Sequence, residues 1–471
     1  MTKNKKLIIY ELNEVPKKVF NFYSDTHLNS SFNKLRNHAV CFETKTEDFG
    51  HLSPWITWPS LHRGINNTKH EISNLGQNLE KVNIDYPAIW EILSLASIKV
   101  GLFGCLHSYP MPKNISDYSF YVPDTFAAGP ECFPSKFSDF QKFNLEMVGV
   151  NSRNVSSQIN LRSAIKFLKA CPKLGLTLNT FGKISNQIVS EFFNKDRLVR
   201  RRTSQVQLAF DFFFKELNFS KPDISFFFTN HVASSMHRYW PSIFPLDYDD
   251  LKFDPQWRQR WEDEIPFTIK ETNEQLQKLM QLVDKNKGYK LIILSSMGQA
   301  AVQDSEKIEN QILITNLNKL MDYIGINKEN WTPHLGMQPL QVVTIKIDEE
   351  LKKLNKIDNI KINGNQISLE KIGEREYLFS LDVKNQKNIK IMDGNTEVVP
   401  SNIGIDIVHL QDAAGSNAYH IPEGICIIYD GLNDKNIDGK WRKISTLDIA
   451  PSILNYFGLS KPAYMQQGFS I

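Results

Sequence analysis

Five short apolar runs punctuate the chain. Leu7-Ile8-Ile9-Tyr10 comes first and passes directly into the polar Glu11-Leu12-Asn13-Glu14. Lys99–Gly104 follows the helical pattern of Tyr86–Ser97, Asp223–Phe228 follows that of Arg200–Leu217, and Tyr289–Leu294 follows that of Pro266–Lys285. Ile425–Tyr429 is the fifth. A run without polar alternation suits a strand buried on both faces, and strands separated by amphipathic helices predict a mostly parallel sheet covered on both sides. Such sheets bind ligands beyond the carboxyl ends of their strands. The polar residues just after these runs are therefore where the chemistry is sought.

Two stretches break this rhythm. Residues 128–196 are irregular and then helical, and read as a helical lid. Residues 338–407 alternate apolar and polar positions, with Asn363-Gly364 and Asp393-Gly394 marking hairpin turns. They read as a small β insertion. The expected organisation is an α/β core over 1–337, the insertion over 338–407, and a return to the core over 408–471.

Composition narrows the partners. With 471 residues the chain can bury a large core, and 55 basic against 52 acidic residues give a net charge of only +3. That balance gives no reason to expect nucleic acid or an anionic membrane as the main partner. The local cluster Arg197, Arg200, Arg201 and Arg202 reads as a solvated helix face. Cys41, Cys105, Cys132, Cys171 and Cys426 are scattered, as suits reduced thiols in the cytoplasm. The apolar run after the basic N-terminus is too short for a signal peptide, and no stretch approaches the ~18 apolar residues of a membrane span. A soluble cytoplasmic protein is the expectation.

The richest segment is Ser53-Pro54-Trp55-Ile56-Thr57-Trp58-Pro59-Ser60-Leu61-His62-Arg63-Gly64, with His70-Glu71-Ile72 behind it. Proline suits the first helical position, which predicts a helix from Pro59. A hydroxyl at Thr57 would then meet free backbone N–H groups, as a helix cap or as a nucleophile beside a bound phosphate or sulfate.

Seven segments in one order now resemble the alkaline phosphatase superfamily, in its type I phosphodiesterase/nucleotide pyrophosphatase and sulfatase-like branch. They are Ile8–Glu11; Ile56–Ser60 with Arg63-Gly64 and His70–Ile72; Ala88–Leu93 with Val100–Gly104 and Ser108–Pro110; Pro222-Asp223 through Met236–Trp240; Leu291–Gly298; His420–Gly424; and Leu447–Leu454 with Phe457–Leu459. The resemblance implies a three-layer α/β/α sandwich and a pair of metal ions, usually zinc, that bind an ester oxygen and activate a nucleophile. It places Thr57 at the nucleophile, Glu11 at the first carboxylate ligand, and His237 and His420 at two histidine ligands. His237 is also a candidate acid/base group. Other implied ligands are absent: Ala233 stands where an aspartate belongs, and Ser296-Met297 where an Asp-His pair belongs.

A catalytic zinc usually needs three protein ligands, and methionine is a poor substitute for histidine at a phosphate-binding centre. The resemblance therefore argues against an ordinary two-zinc centre and leaves a single zinc or another divalent cation. Asn13, Glu14, His51, Asn230, His231 and Asp412 lie near the implied site in sequence, and read as structural or substrate-contact residues before replacement ligands. Asn13, Arg63, Asn230 and Arg238 are candidate substrate contacts. Trp55, Trp58, Tyr239 and Trp240 read as core, or as surfaces that stack on a sugar or base.

Two functions follow. One is hydrolysis or transfer of a phosphate or sulfate ester, with Thr57 attacking. The segments Glu-x-Asn-Glu, Pro-Trp-Ile-Thr-Trp-Pro-Ser and Met-His-Arg-Tyr-Trp are similar to those of bacterial members associated with surface polysaccharides, which implies an anionic or glycan-linked ester. The other is a metal-free, inactive member that binds an anionic ligand or a partner protein.

Overall fold

Ten strands and five helices of the first of two units position the residues that matter. The strands are β1 (Lys6–Leu12), β2 (Val40–Lys45), β3 (Val100–Phe103), β4 (Phe120–Val122), β5 (Ile224–Thr229), β6 (Tyr289–Leu294), β7 (Gly298–Ala301), β8 (Ala418–Ile421), β9 (Glu423–Tyr429) and β10 (Arg442–Ser445). The helices are α1 (Pro54–Arg63), α2 (Leu178–Phe193), α3 (Arg201–Ser220), α4 (His231–Ile243) and α5 (Glu264–Lys285). This computed structural model describes residues 5–75, 77–150, 171–334, 340–432 and 440–471. The units comprise Met1–Leu145, Ile159–Ser305 and Ser416–Ile471 in one, and Glu146–Gln158 with Glu306–Gly415 in the other.

The central sheet has eight strands in the order β10-β2-β9-β6-β1-β5-β3-β4. Every neighbouring pair is parallel except those that β9 makes with β6 and β2, so β9 alone runs against the rest. All five apolar runs are strands of this sheet. Strand alternation divides their side chains between two faces. Leu7, Ile9, Leu102, Phe226, Ile292 and Leu294 pack with Trp58 and Leu61 of α1, Trp90 and Leu93 of helix Ile89–Leu95, and Ile453 of helix Ile449–Tyr456. On the other face, Phe227 meets Phe210 and Phe213 of α3, and the Tyr10 hydroxyl donates to Gln275 of α5 at 2.6 Å. The unit is thus an α/β/α sandwich with a mostly parallel sheet.

The helix expected from Pro59 begins at Pro54 instead, with Ser53 at its N-cap and Pro59 inside. Thr57 is therefore one turn into the helix, and its N–H is already bonded to Ser53 O at 2.9 Å. Proline at 59 cannot donate to the carbonyl four residues back. That carbonyl, Trp55 O, is met by His107 Nε2 at 2.9 Å. The arginine cluster also differs from expectation. Arg197 and Arg200 pair with buried Glu264, and Arg201 with buried Glu191, so these side chains tie helices together.

Of the stretch expected as a lid, helix Ser138–Val150 and α2 are described, while 151–170 lie outside the described residues. The second unit is built from antiparallel sheets around Ile312, Trp331, Ile345, Phe379 and Ile391. Its hairpin between Ile360–Ile362 and Asn365–Gln366 turns through Asn363 and Gly364 at φ 48° and 84°. Both angles are left-handed, as a two-residue hairpin turn of this kind requires. Residues 340–407 of the expected insertion fall in this unit. Among the described residues no helix is long and apolar enough to cross a membrane, and all five cysteines are free and buried.

Candidate metal centre

β1 ends at Leu12, and the chain turns immediately. Glu14 adopts φ 59°, a left-handed conformation uncommon outside glycine, asparagine and aspartate. The turn brings a buried carboxylate toward the start of α4 and the β7–β8 ribbon. Glu14 Oε1 accepts from Asn13 Nδ2 at 2.8 Å. Glu14 Oε2 accepts from Gln299 of β7, and faces His237 Nε2 at 2.9 Å and His420 Nε2 at 3.3 Å.

Each histidine is fixed from behind. His237 Nδ1 donates to Ala418 O, and His420 Nδ1 donates to Leu52 O, both at 2.7 Å. The first contact depends on a proline. Pro241 lies inside α4 and cannot donate to His237 O, and that carbonyl instead accepts the N–H of Asn417 at 2.6 Å. The Asn417 side chain adds a bond to Arg238 O, also at 2.6 Å. A helix-breaking residue thus leaves one carbonyl open, the strand before His420 docks on it, and the strand's own carbonyl orients the His237 ring. On β8, His420 pairs in register with Gln299 of β7, which places two groups that face Glu14 side by side.

Burial alone would raise the Glu14 carboxyl, but the facing His420 and His237 outweigh it and hold the group well below the usual carboxylate range. Burial alone would lower His420. The Glu14 charge and hydrogen bond, with the Leu52 carbonyl, reverse that and leave it raised.

The donor set fits a divalent cation. With both Nδ1–H groups committed to carbonyls, each ring turns its Nε2 toward the Glu14 carboxylate, an outer-shell arrangement common behind metal-ligating histidines. The three ligand atoms lie within 4.8 Å of one another, and they form the one such group among the described residues. Two histidines and a carboxylate supply the three protein ligands of a catalytic zinc, with a position open.

The residues singled out from sequence separate around this centre. His237 and His420 belong to it. Asn13 bridges toward it, since it donates to Glu14 and to Asn230 Oδ1, at 2.8 Å each, and accepts from Trp58 Nε1 at 2.8 Å. Thr57 is fully buried, with Oγ1 at 2.8 Å from Ser296 Oγ and 3.3 Å from Ser53 O. Ser296, named from sequence as standing where a ligand was expected, lies beside the Thr57 hydroxyl. Ala233 offers only its carbonyl, to Gln299 at 3.2 Å, and Met297 is buried.

Glu11 lies outside the cluster. It sits on the α1 face of the sheet and bonds His62 Nε2 at 2.7 Å. Arg63 is buried and donates from Nη2 to Asn83 at 2.7 Å, while its Nε and Nη1 find no acceptor among the described residues. Arg238 packs on α4 beside His237. His51 is exposed at the margin, its Nε2 3.3 Å from the Tyr419 hydroxyl and its ring 6.4 Å from that of His420. His231 is buried under α5 against Thr272 at 3.0 Å, and burial pushes it down to about 4. Asp412 belongs to the second unit, where it accepts from Ala414 N at 3.2 Å. Trp58, Tyr239 and Trp240 are core.

His70, in the segment behind Thr57, accepts Ile72 N–H at Nδ1 and so donates from Nε2 to Ser60, which donates to Asp48. Burial, with Arg63 nearby, pushes it down to about 3. This neutral ring holds the helix to its loop and does not activate Ser60. Gln299 went unremarked in the sequence. Only its register opposite His420, a property of the folded ribbon, singles it out.

An α/β/α sandwich with a two-histidine, one-carboxylate cluster beyond its strand ends is what the structure defines. No protein-family model matches the chain, and no curated protein matches it. Among solved structures it is similar to murine ectonucleotide pyrophosphatase/phosphodiesterase 5, at 12% identity and a TM-score of 0.40 over 99% of this chain and 97% of that one. It is similar too to an inactive variant of the murine protein in complex with AMP (11%, 0.39, with the same coverage) and to the human protein (12%, 0.37, with the same coverage). These likenesses are too distant to carry a function across.

Proposed function

We propose that the chain is a hydrolase or transferase of phosphoric- or sulfuric-type esters that works at a single divalent cation, zinc or another, held by Glu14, His237 and His420. The observation that carries this reading is the convergence of two anchored imidazole Nε2 atoms on one buried carboxylate oxygen. A bound cation would polarise an ester oxygen and offset the charge that develops during substitution. Glu14 supplies the carboxylate that Ala233 lacks. Asn13 and Gln299 hold that carboxylate in orientation. Thr57 is the proposed nucleophile. Its hydroxyl is oriented by Ser296, and its helix is tied to the centre through Trp58, Asn13 and Glu14. The ester is anionic, and a glycan-linked substrate suits the bacterial resemblance.

A second reading has its own support. Asn13, Gln299 and both histidines already satisfy the Glu14 carboxylate, so the cluster can stand without a cation as a polar pocket for an anion. One experiment separates the two. Purified full-length protein is analysed for metal and assayed on aryl phosphate, phosphodiester and sulfate esters beside Thr57→Ala. Stoichiometric metal with turnover that disappears in Thr57→Ala supports the enzyme. Absence of metal together with no Thr57-dependent turnover favours the anion-binding protein.

A further inference from the structure

Helix α2 is mounted inside out. Thr180, Lys183, Gln187 and Glu191 recur at helical spacing and face the protein. Lys183 pairs with Glu271 at 2.6 Å and Glu274 at 2.7 Å on α5. Gln187 donates to Arg197 O at 2.6 Å, and Glu191 pairs with Arg201 at 2.7 Å. The opposite face carries Leu178, Phe181, Ile188, Val189, Phe192 and Phe193, all exposed; Leu178 is 91% exposed, Phe192 75% and Phe193 88%. A surface helix ordinarily turns its apolar stripe inward. A contiguous exposed apolar face of this kind marks a site of association.

Charge selects the occupant. The helix has one acidic residue, Glu191, and it is buried and paired, so the exposed face carries no negative charge. Exposed lysines stand at both ends: Lys173 precedes the helix, and Lys195 follows it with its ammonium 5.6 Å over the Phe192 ring. Exposed Lys215 reaches the Lys173 carbonyl at 2.6 Å. Protruding aromatic and aliphatic side chains flanked by lysines suit a bilayer interface with anionic headgroups.

We propose that α2 seats the chain on a lipid surface, with Leu178, Phe181, Phe192 and Phe193 entering the boundary between headgroups and acyl chains and Lys173 and Lys195 meeting lipid phosphates. A net charge of +3 and the lack of a spanning helix among the described residues gave no sign of this. The signal lies in which face of the helix turns outward. The inference stands independently of the ester chemistry.

Co-sedimentation of the full chain with vesicles tests it, using phosphatidylcholine alone and phosphatidylcholine mixed with phosphatidylglycerol. The wild type should pellet with the mixed vesicles, and less with neutral ones or at high salt. Phe192→Ser combined with Phe193→Ser should lower the bound fraction by about tenfold or more. Circular dichroism should be unchanged, because both side chains are exposed. Lys195→Glu, which leaves the apolar face intact, should weaken binding to the anionic vesicles selectively. The proposal is overturned if the wild type stays in solution with both vesicle types, or if the double variant pellets equally well. A dimer in the absence of lipid that the double variant abolishes, without vesicle binding, would assign the face to a second copy of the chain.

Discussion

Glu11 and Glu14 stand at the end of the same strand, both buried and both facing histidine, yet only one can serve as a ligand in the cluster. Glu11 is still within β1, so the pleat points it with Leu7 and Ile9 into the core beneath α1. There it meets a single ring, His62, with the buried Cys105 thiol against it as well, while the His62 Nδ1 has no partner among the described residues. Glu14 lies past the strand end, and its left-handed backbone redirects the side chain to β7, β8 and α4. Both its oxygens are bonded, and its two histidines are fixed from behind by carbonyls. The backbone turn after a strand, more than proximity in sequence, decides which carboxylate joins the site.

Substitution should break this contrast cleanly. Glu14→Gln should abolish stoichiometric zinc uptake, read by elemental analysis after dialysis, with the fold retained by circular dichroism. Glu11→Ala should do the reverse. It should cost about 1–3 kcal/mol of stability by urea denaturation, because the buried His62 ring loses its hydrogen-bond partner, yet leave zinc uptake by the folded fraction intact. If both variants behaved alike, the distinction between the two glutamates would be wrong.

A third buried carboxylate extends the comparison to pH. Asp124 accepts from the Phe126 N–H at 2.7 Å and the Ser108 N–H at 3.3 Å. Burial pushes it up from 3.8 to about 6, and these hydrogen bonds oppose the shift. A raised carboxyl contributes stability fully below its unfolded value, and that contribution is lost as pH rises through the folded value. Asp124→Asn should therefore flatten the fall in stability between about pH 4 and pH 8 by roughly 3 kcal/mol, measured by urea denaturation across that range. The smallest effect concerns the groups that orient Glu14. Gln299→Ala should weaken zinc binding by roughly 10–100-fold in calorimetric titration without removing it.

Sequence made the layered fold legible where burial is two-sided. β1, β3, β5, β6 and β9 are near-continuous apolar runs because both of their faces are covered. The three sheet strands that went unread lack that signature. β4 is three residues long and β10 reads Arg-Lys-Ile-Ser, both at sheet edges, while β2 mixes Glu43, Thr44 and Lys45 into its length. The helix start was misplaced because two prolines offer the same signal. Pro54 takes the first position, and Pro59 is accommodated because His107 meets the carbonyl it leaves free. His237 and His420 were named from motif order, and the structure brings both rings onto Glu14. Glu14 was not separable from its neighbours, since its place in the cluster depends on one positive φ angle and on a ribbon that brings Gln299 beside His420.

The central claim is that Glu14, His237 and His420 together hold one divalent cation. Zinc-edge X-ray absorption on the full chain loaded with one equivalent of zinc tests it most directly. The expected spectrum shows two imidazole nitrogens and carboxylate oxygen at ~2.0–2.1 Å, with the imidazole signal reduced to one ring in His237→Ala. A first shell without imidazole, or one unchanged in His237→Ala, would contradict the assignment.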